Sequence, residues 1–452
     1  MSSRIKNELK IIFVFGLFVF LFFGLCLSIG TLFSWYFPLG LISFFYWYSV
    51  QEASPSPEQI KSRKNIFVVI IGAGFSGLCA AIKLKRERIR FVLIEKSENI
   101  GGTWWDNKYP GCACDIWSHL YSLSFKPNPF WSKTYPHQEE ILDYLEDTFD
   151  YYGIREHVEL GTKVDSCVFN ATSKKWTVVT SKGAKIECNF IISGIGALHT
   201  PKFPEIIGKE EFKGESFHTA QWKKGFDWFN KKVAIIGTGC TAIQVIPKIF
   251  SKCKQLYVFQ RTPSWVTPKL DIHYPYILQK CFQLFPLLMK IHRWYIFFRQ
   301  ELLYQLVFTK ESELAKLFKS DIALSMTSEI NSKELQKKLI PNYAMGCKRI
   351  TVSHDYLSAF NQPNVELITK PIRKISQTSI HVQDSESKEV DAIIYATGFD
   401  ILGPVKAIDI HRPVDGECLS EIWGNFPTAY LGIMQPQFPN VFILLGPGTG
   451  LG

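Results

Sequence analysis

The 452-residue chain carries 51 lysines and arginines against 41 acidic residues, a net charge of +10 spread along the sequence without a basic tract. That spread argues against a nucleic-acid binder and fits an anionic cofactor or anionic lipid headgroups. Eleven cysteines at irregular spacing match neither a secreted disulfide framework nor a zinc site, and fit a reducing compartment.

Residues 11–50, beginning IIFVFGLFVFLFFGLCLSIG, contain no charged residue. A bilayer core takes about 20 apolar residues per helix, so the run supplies one long span or a hairpin broken at Pro38-Leu39-Gly40. Arg4, Lys6 and Lys10 precede it and Lys61, Arg63 and Lys64 follow it, so both flanks read as cytosolic and the hairpin is favoured. A cleaved signal peptide has an apolar region of only about 7–15 residues. The expectation is a membrane anchor over 1–50, a Pro- and Ser-bearing linker over 51–64, and membrane lipid as a partner. The expected location is the endoplasmic-reticulum membrane with the catalytic part facing the cytosol.

Residues 66–71, IFVVII, read as a strand buried on both faces. Gly72-Ala73-Gly74-Phe75-Ser76-Gly77 follows and opens an apolar helical segment. Gly72 makes the tight turn, Gly74 lets a pyrophosphate approach the backbone, and Gly77 lets helix and strand pack closely. The next strand, Phe91-Val92-Leu93-Ile94, ends in Glu95, whose carboxylate can accept hydrogen bonds from ribose hydroxyls. Cys112-Ala113-Cys114 reads as packing rather than a redox or metal pair. Residues 137–152 place Ile141, Leu145 and Phe149 on one helical face.

A second strand, Val233-Ala234-Ile235-Ile236, runs into Gly237-Thr238-Gly239-Cys240-Thr241-Ala242, with alanine at the third glycine position. The strand after it, Leu256-Tyr257-Val258-Phe259, is followed by Gln260 and Arg261 instead of an acid. A guanidinium there holds a 2′-phosphate that a carboxylate would repel, which favours NADPH over NADH. One acidic and one basic nucleotide fold in tandem imply a reductant that passes hydride to a bound flavin. Residues 272–340 read as a helical insertion, and strands return at 364–369 and 390–396. The fold class is α/β: two Rossmann-like dinucleotide-binding domains with a helical insertion, preceded by a transmembrane segment or hairpin.

Residues 101–115, GGTWWDNKYPGCACD, resemble the long motif of the Baeyer–Villiger monooxygenases through Gly101, Gly102, Trp104, Tyr109, Pro110, Gly111 and Asp115. FKGESFHTAQW resembles the family's shorter motif through Phe212, Gly214, His218 and Trp222, while Lys223 departs from the usual Pro or Asp. Trp222 stands where nitrogen- and sulfur-oxidising relatives carry Tyr or Phe. Further matches are Gln260-Arg261-Thr262-Pro263, Lys348-Arg349, and Asp391 with Ala396-Thr397-Gly398-Phe399-Asp400.

The resemblance covers roughly residues 65–450. It implies an FAD- and NADPH-dependent monooxygenase that inserts one atom of O2 into a lipophilic ketone or aldehyde to give an ester. It implies catalytic roles for Arg349, Asp115, His218 and Trp222. Arg349 would stabilise charge on the substrate oxygen, with Asp115 orienting it, and His218 and Trp222 would couple cofactor movement at a domain junction. Cofactor contacts are implied for Gly72, Gly74, Gly77, Glu95, Thr103, Trp104, Asp115 and Tyr121 at FAD. Gly237, Thr238, Gly239, Thr241, Arg261, Thr262 and Lys348 are implied at NADPH.

The corresponding domains are 65–205 for FAD, 206–370 for NADPH, and 371–452 returning to the FAD domain. Family members continue past the position of Gly450, so a C-terminal segment is expected to be lacking. Oxygenation of nitrogen or sulfur, and an inactive membrane-bound nucleotide-binding protein, stay open as alternatives.

Overall fold

The computed structural model describes residues 63–308, 313–400, 408–413 and 415–450. Strand β1 (Phe67–Ile71) has four of its five residues buried, as its unbroken β-branched run requires. It pairs in parallel with β2 (Arg90–Ile94) on one side and with Phe190–Ser193 on the other. Val158–Glu159 and Val441–Ile443 complete a five-stranded parallel sheet.

The period of two along β1 splits its side chains between two cores. Val68 and Ile70 pack with Leu78, Ala81 and Ile82 of helix α1 (Phe75–Arg86), and with Ile141, Leu145 and Phe149 of helix Gln138–Tyr151. Val69 and Ile71 pack with Trp176, Val178 and Val441 on the opposite face. Each large apolar side chain buried in this way stabilises the fold by about 1.5–3 kcal/mol.

The second sheet repeats the plan. Strand β3 (Lys232–Ile236) lies between β4 (Gln255–Phe259) and Ala392–Tyr395, with Val365–Ile368 and Glu215–His218 outside them, all parallel. Val233 and Ile235 pack on Ala242, Ile243 and Ile246 of helix α2 (Cys240–Ile249). Ala234 and Ile236 face Ile375, Ile380 and Val382 of an antiparallel three-stranded sheet. In both sheets the central strand has its sequence-following neighbour on one side and a returning strand on the other. This switch point opens a crevice at the strands' carboxyl ends, where nucleotides bind.

Helices Tyr276–Leu284, Pro286–Phe308, Glu313–Ser328 and Lys333–Leu339 fill the expected insertion. They divide between the two sheets. Tyr274 and Leu278 join the first fold's core, and Ile296 packs with Trp117 and Tyr135. Ile322, Met326, Ile330 and Leu339 join the second fold's core.

The anchor expected over 1–50 lies outside the described residues, as does the expected linker up to residue 62. Among the described residues no helix is long and apolar enough to cross a membrane. The longest, Pro286–Phe308, is interrupted by Lys290, Arg293, Arg299 and Glu301. The described residues therefore give no support to the expected endoplasmic-reticulum location or to the membrane-lipid partner.

Candidate active site

In the first glycine-rich loop Gly72 has φ +99°, and a Cβ there would lie 2.6 Å from the Gly194 carbonyl oxygen. Only glycine turns the chain this tightly between two strands. A Cβ on Gly77 would meet the Gly72 oxygen at 1.8 Å, so helix α1 sits directly on its own loop. Its N-cap, Gly74, offers no side-chain cap, and the first turn holds no acid. The free amides and the positive dipole end therefore remain available to phosphates.

Glu95, at the end of β2, is only 5% exposed. Its Oε2 accepts from the Ala73 amide at 2.6 Å and its Oε1 from the Ser97 amide at 2.9 Å. A carboxylate has about four acceptor positions, so it can tie down the loop and still receive ribose hydroxyls. The Gly101 amide donates to Ala73 O at 2.9 Å, laying the 101–104 segment on the same loop. Buried Trp104 donates from Nε1 to the Tyr121 hydroxyl at 3.0 Å, and the Phe75 ring meets Tyr121 edge-on at 5.3 Å. Thr103 is exposed at the start of the short helix Thr103–Asp106.

The second loop is more open. A Cβ on Gly237 would approach Ala396 O at 2.4 Å, but one on Gly239 would meet nothing within 4 Å. Gly239 is the N-cap of α2, again without a side-chain cap or an acid in the first turn, where Thr241 lies. The Thr238 hydroxyl donates to Thr262 O at 3.3 Å, and the Ser264 hydroxyl to Thr238 O at 3.0 Å. Arg261, two residues past β4, is exposed and makes no hydrogen bond or ion pair among the described residues. Lys348 lies over the Tyr343 ring at 5.1 Å, and the Tyr343 hydroxyl donates to Pro263 O at 2.8 Å. Tyr343 thus links the Lys348 segment to the Arg261 segment.

Between the folds, Arg349 grips Asp115 across 234 residues of sequence. Its Nε donates to Oδ2 at 3.0 Å, and its Nη2 lies 2.8 Å from both carboxylate oxygens. The side chains are 47% and 23% exposed. Burial works against the guanidinium's charge, but the Asp115 carboxylate outweighs it and raises the Arg349 pKa. Arg349 is permanently charged, with its Nη1 unused by this pair. Cys240, the first residue of α2, borders the pair: burial and then the Asp115 charge raise its thiol pKa, and Arg349 opposes them.

His218 and Trp222 make their contacts elsewhere. His218 is fully buried at the end of its strand, accepts from the Ala220 amide at Nδ1 (3.1 Å), and packs against Phe203 and Phe399. Burial lowers its pKa, opposed by the nearby Gly398 backbone, and with Nδ1 accepting, the neutral ring carries its proton on Nε2. Trp222 packs edge-on against Phe217, Phe226 and Trp228. Cys112 and Cys114 are free and buried, and burial pushes both thiols up to about 12.

Sequence reasoning missed Gln244 on α2. Its Oε1 accepts from the Tyr109 hydroxyl at 2.9 Å and from the Ala113 amide at 3.4 Å, while its Nε2 donates to Ala113 O at 2.9 Å. A glutamine on an amphipathic helix carries no signal of such a partner.

Two switch-point nucleotide crevices joined by a charged pair define a two-dinucleotide oxidoreductase. Accordingly, residues 69–292 match the family model described as pyridine nucleotide-disulphide oxidoreductase. More specifically, the chain is 38% identical over 403 residues to a Baeyer–Villiger monooxygenase of Pseudomonas aeruginosa, covering 89% of this chain and 75% of that protein. A Baeyer–Villiger monooxygenase of Streptomyces coelicolor is 37% identical over 396 residues, covering 87% and 76%.

Among solved structures, OTEMO complexed with FAD and NADP superposes with a TM-score of 0.77 at 30% identity, covering 85% of this chain and 80% of that one. Closed cyclohexanone monooxygenase gives 0.75 at 29% identity, with coverage of 84% and 80%. This chain belongs to the Baeyer–Villiger monooxygenase family. Both of the relatives named here are bacterial proteins, and the expectation of an endoplasmic-reticulum location is corrected on that comparison.

Proposed function

We propose that this chain is an FAD- and NADPH-dependent monooxygenase that inserts one oxygen atom from O2 into a lipophilic ketone or aldehyde to give an ester. FAD belongs in the first fold. The α1 N-terminus would take its pyrophosphate, Glu95 its ribose hydroxyls, and Thr103, Trp104 and Tyr121 would border the remainder. NADPH belongs in the second. Thr238, Gly239 and Thr241 would meet its phosphates, and Arg261 with Lys348 its 2′-phosphate. On this assignment residues 65–205 and 408–450 build the FAD domain and 206–395 the NADPH domain. The expected boundary at 370 moves because Ile372–Ile375, Ser379–Val382 and Ala392–Tyr395 pack on or within the second sheet, while Ile408, Ile410 and Val441–Ile443 pack with the first.

Bound FAD, supplied with hydride by NADPH, provides the chemistry that activates O2. The protein's own contribution centres on Arg349. As oxygen adds to the substrate carbonyl, negative charge gathers on the carbonyl oxygen, and a guanidinium already in place stabilises it by about 3–4 kcal/mol. Asp115 fixes that guanidinium through Nε and Nη2, leaving Nη1 to donate. His218 and Trp222 would act at a distance, as parts of the second sheet's edge.

The observation that carries this reading is the forked Arg349–Asp115 pair set between two nucleotide folds. Product analysis with FAD, NADPH, O2 and a panel of ketones and sulfides tests it. Arg349→Ala should retain flavin reduction and lose ester formation by about 10²–10³-fold. Ketones left intact by the native enzyme while sulfides are oxygenated, or ester formation unchanged in the variant, would sink it.

A further inference from the structure

Helix α2 presents Cys240, Gln244 and Lys248 at spacings of four, and residues spaced so lie on one helical face. All three meet the first fold or its charged pair. Cys240 borders Asp115 and Arg349. Gln244 holds Tyr109 and Ala113 through three hydrogen bonds. Gly111 lies so close that a Cβ there would come within 2.6 Å of the Gln244 carbonyl oxygen and 2.9 Å of Lys248 Cγ. The loop 109–115 therefore runs along the very helix whose N-terminus closes the second glycine-rich loop, and it delivers Asp115 to Arg349 two residues beyond the clamped Ala113.

Resting on the function proposed above, we infer that Gln244 is a positioning residue. It fastens the Asp115 loop to helix α2, so that occupation of the nicotinamide-nucleotide fold and placement of the Asp115–Arg349 pair depend on each other. The side chain is suited to this because its amide both donates to and accepts from the backbone of the same residue, Ala113, while its oxygen also receives the Tyr109 hydroxyl. Leucine has similar bulk and can do neither, leaving the Ala113 N–H and C=O without their partner and taking one acceptor from the Tyr109 hydroxyl. Glutamate keeps the acceptor and loses the donor to Ala113 O.

The experiment compares Gln244→Leu, Gln244→Glu and Tyr109→Phe with the native holoenzyme. Four quantities are measured: FAD content, NADP+ affinity by titration, ester formed per NADPH consumed, and hydrogen peroxide released per NADPH consumed. Gln244→Leu should keep its FAD, bind NADP+ about tenfold more weakly, and divert NADPH from ester to peroxide. Gln244→Glu should fall between it and the native protein. Tyr109→Phe, which removes one hydrogen bond, should change NADP+ affinity and peroxide yield about threefold.

A Gln244→Leu enzyme with native NADP+ affinity and native ester yield overturns the inference. So does one that loses thermal stability and FAD while its peroxide-to-ester ratio stays native, since that is a structural role alone. If Gln244→Leu does not fold, a Tyr109→Phe enzyme indistinguishable from the native one overturns it equally. Native protein that forms no ester from any ketone contradicts the proposed function instead, and the NADP+ titrations still decide the role of Gln244.

Discussion

In the first nucleotide fold a Cβ at the third glycine, Gly77, would come within 1.8 Å of the Gly72 oxygen, whereas the second fold carries Ala242 at the matching place, fully buried and accommodated. The difference extends across each crevice. Glu95 stitches the first loop through the amides of Ala73 and Ser97, while Arg261 beside the second loop is exposed and bonds to no described residue. One sheet plan thus gives a cinched loop and an open one. A cinched loop suits a group that stays in place through many turnovers. An open loop with a waiting cation suits one that arrives, reacts and leaves.

The largest effect expected from this contrast is at Gly77. Gly77→Ala places a methyl group on the Gly72 carbonyl, which forces α1 off the loop and removes the phosphate-binding turn. The purified variant should be colourless or fail to fold. A flavin content equal to the native protein's would contradict the cinched-loop account. Next comes Arg261→Ala, which removes charge-assisted hydrogen bonds of about 1.5–3 kcal/mol. The KM for NADPH should rise about ten- to hundredfold, while that for NADH stays where it was. An equal rise for both nucleotides would mean that Arg261 does not read the 2′-phosphate.

A smaller effect, visible in pH, separates the half of the insertion that docks on the first fold from the half that docks on the second. The first-fold joint contains His119 and His292, whose rings meet at 5.1 Å, with the Tyr274 hydroxyl 3.1 Å from His292 Nε2. Burial lowers His119 to about 3, helped by the charges of His292 and Arg293, and burial lowers His292 to about 4. Both are neutral in the folded protein and take up protons more readily once unfolded. Their contribution is therefore intact above about pH 6.5 and is lost as pH falls below it, at up to about 1.4 kcal/mol per pH unit per histidine. Urea midpoints measured from pH 7 to pH 5 should fall, and His119→Phe should flatten that slope by about half. An unchanged slope in the variant would remove His119 from this joint.

How much of this was legible depended on whether a residue's partner was written near it or implied by a motif. Gly72, Gly77, Glu95 and Arg261 could be read because loop and strand end are close in sequence and the βαβ unit dictates where each goes. Asp115 and Arg349 could be paired only through the family resemblance, since 234 residues separate them. The docking of helix Pro286–Phe308 on Trp117 and Tyr135 had no signal, because a periodic Leu and Phe stripe states that a face is buried but not against what. His119, His292 and Gln244 were silent for the same reason. Each acquires its role from a neighbour supplied by another segment of the chain.

Ala242→Gly, the smallest of these changes, completes the test of the comparison from the other side. If the two loops differed only in sequence and not in closure, giving the second fold a third glycine should tighten it towards the first and improve nucleotide binding. The structure argues otherwise, because the space at Ala242 is already filled by Val233, Ile235 and the rest of that core. Removing its methyl group leaves a small void and a glycine within α2, which costs about 1 kcal/mol. The thermal midpoint should drop by about 2–4 °C, with FAD content untouched and the KM for NADPH within about twofold of native. A gain in NADPH affinity would show that loop closure follows the glycine count alone, and not the stitching by Glu95 that the second fold lacks.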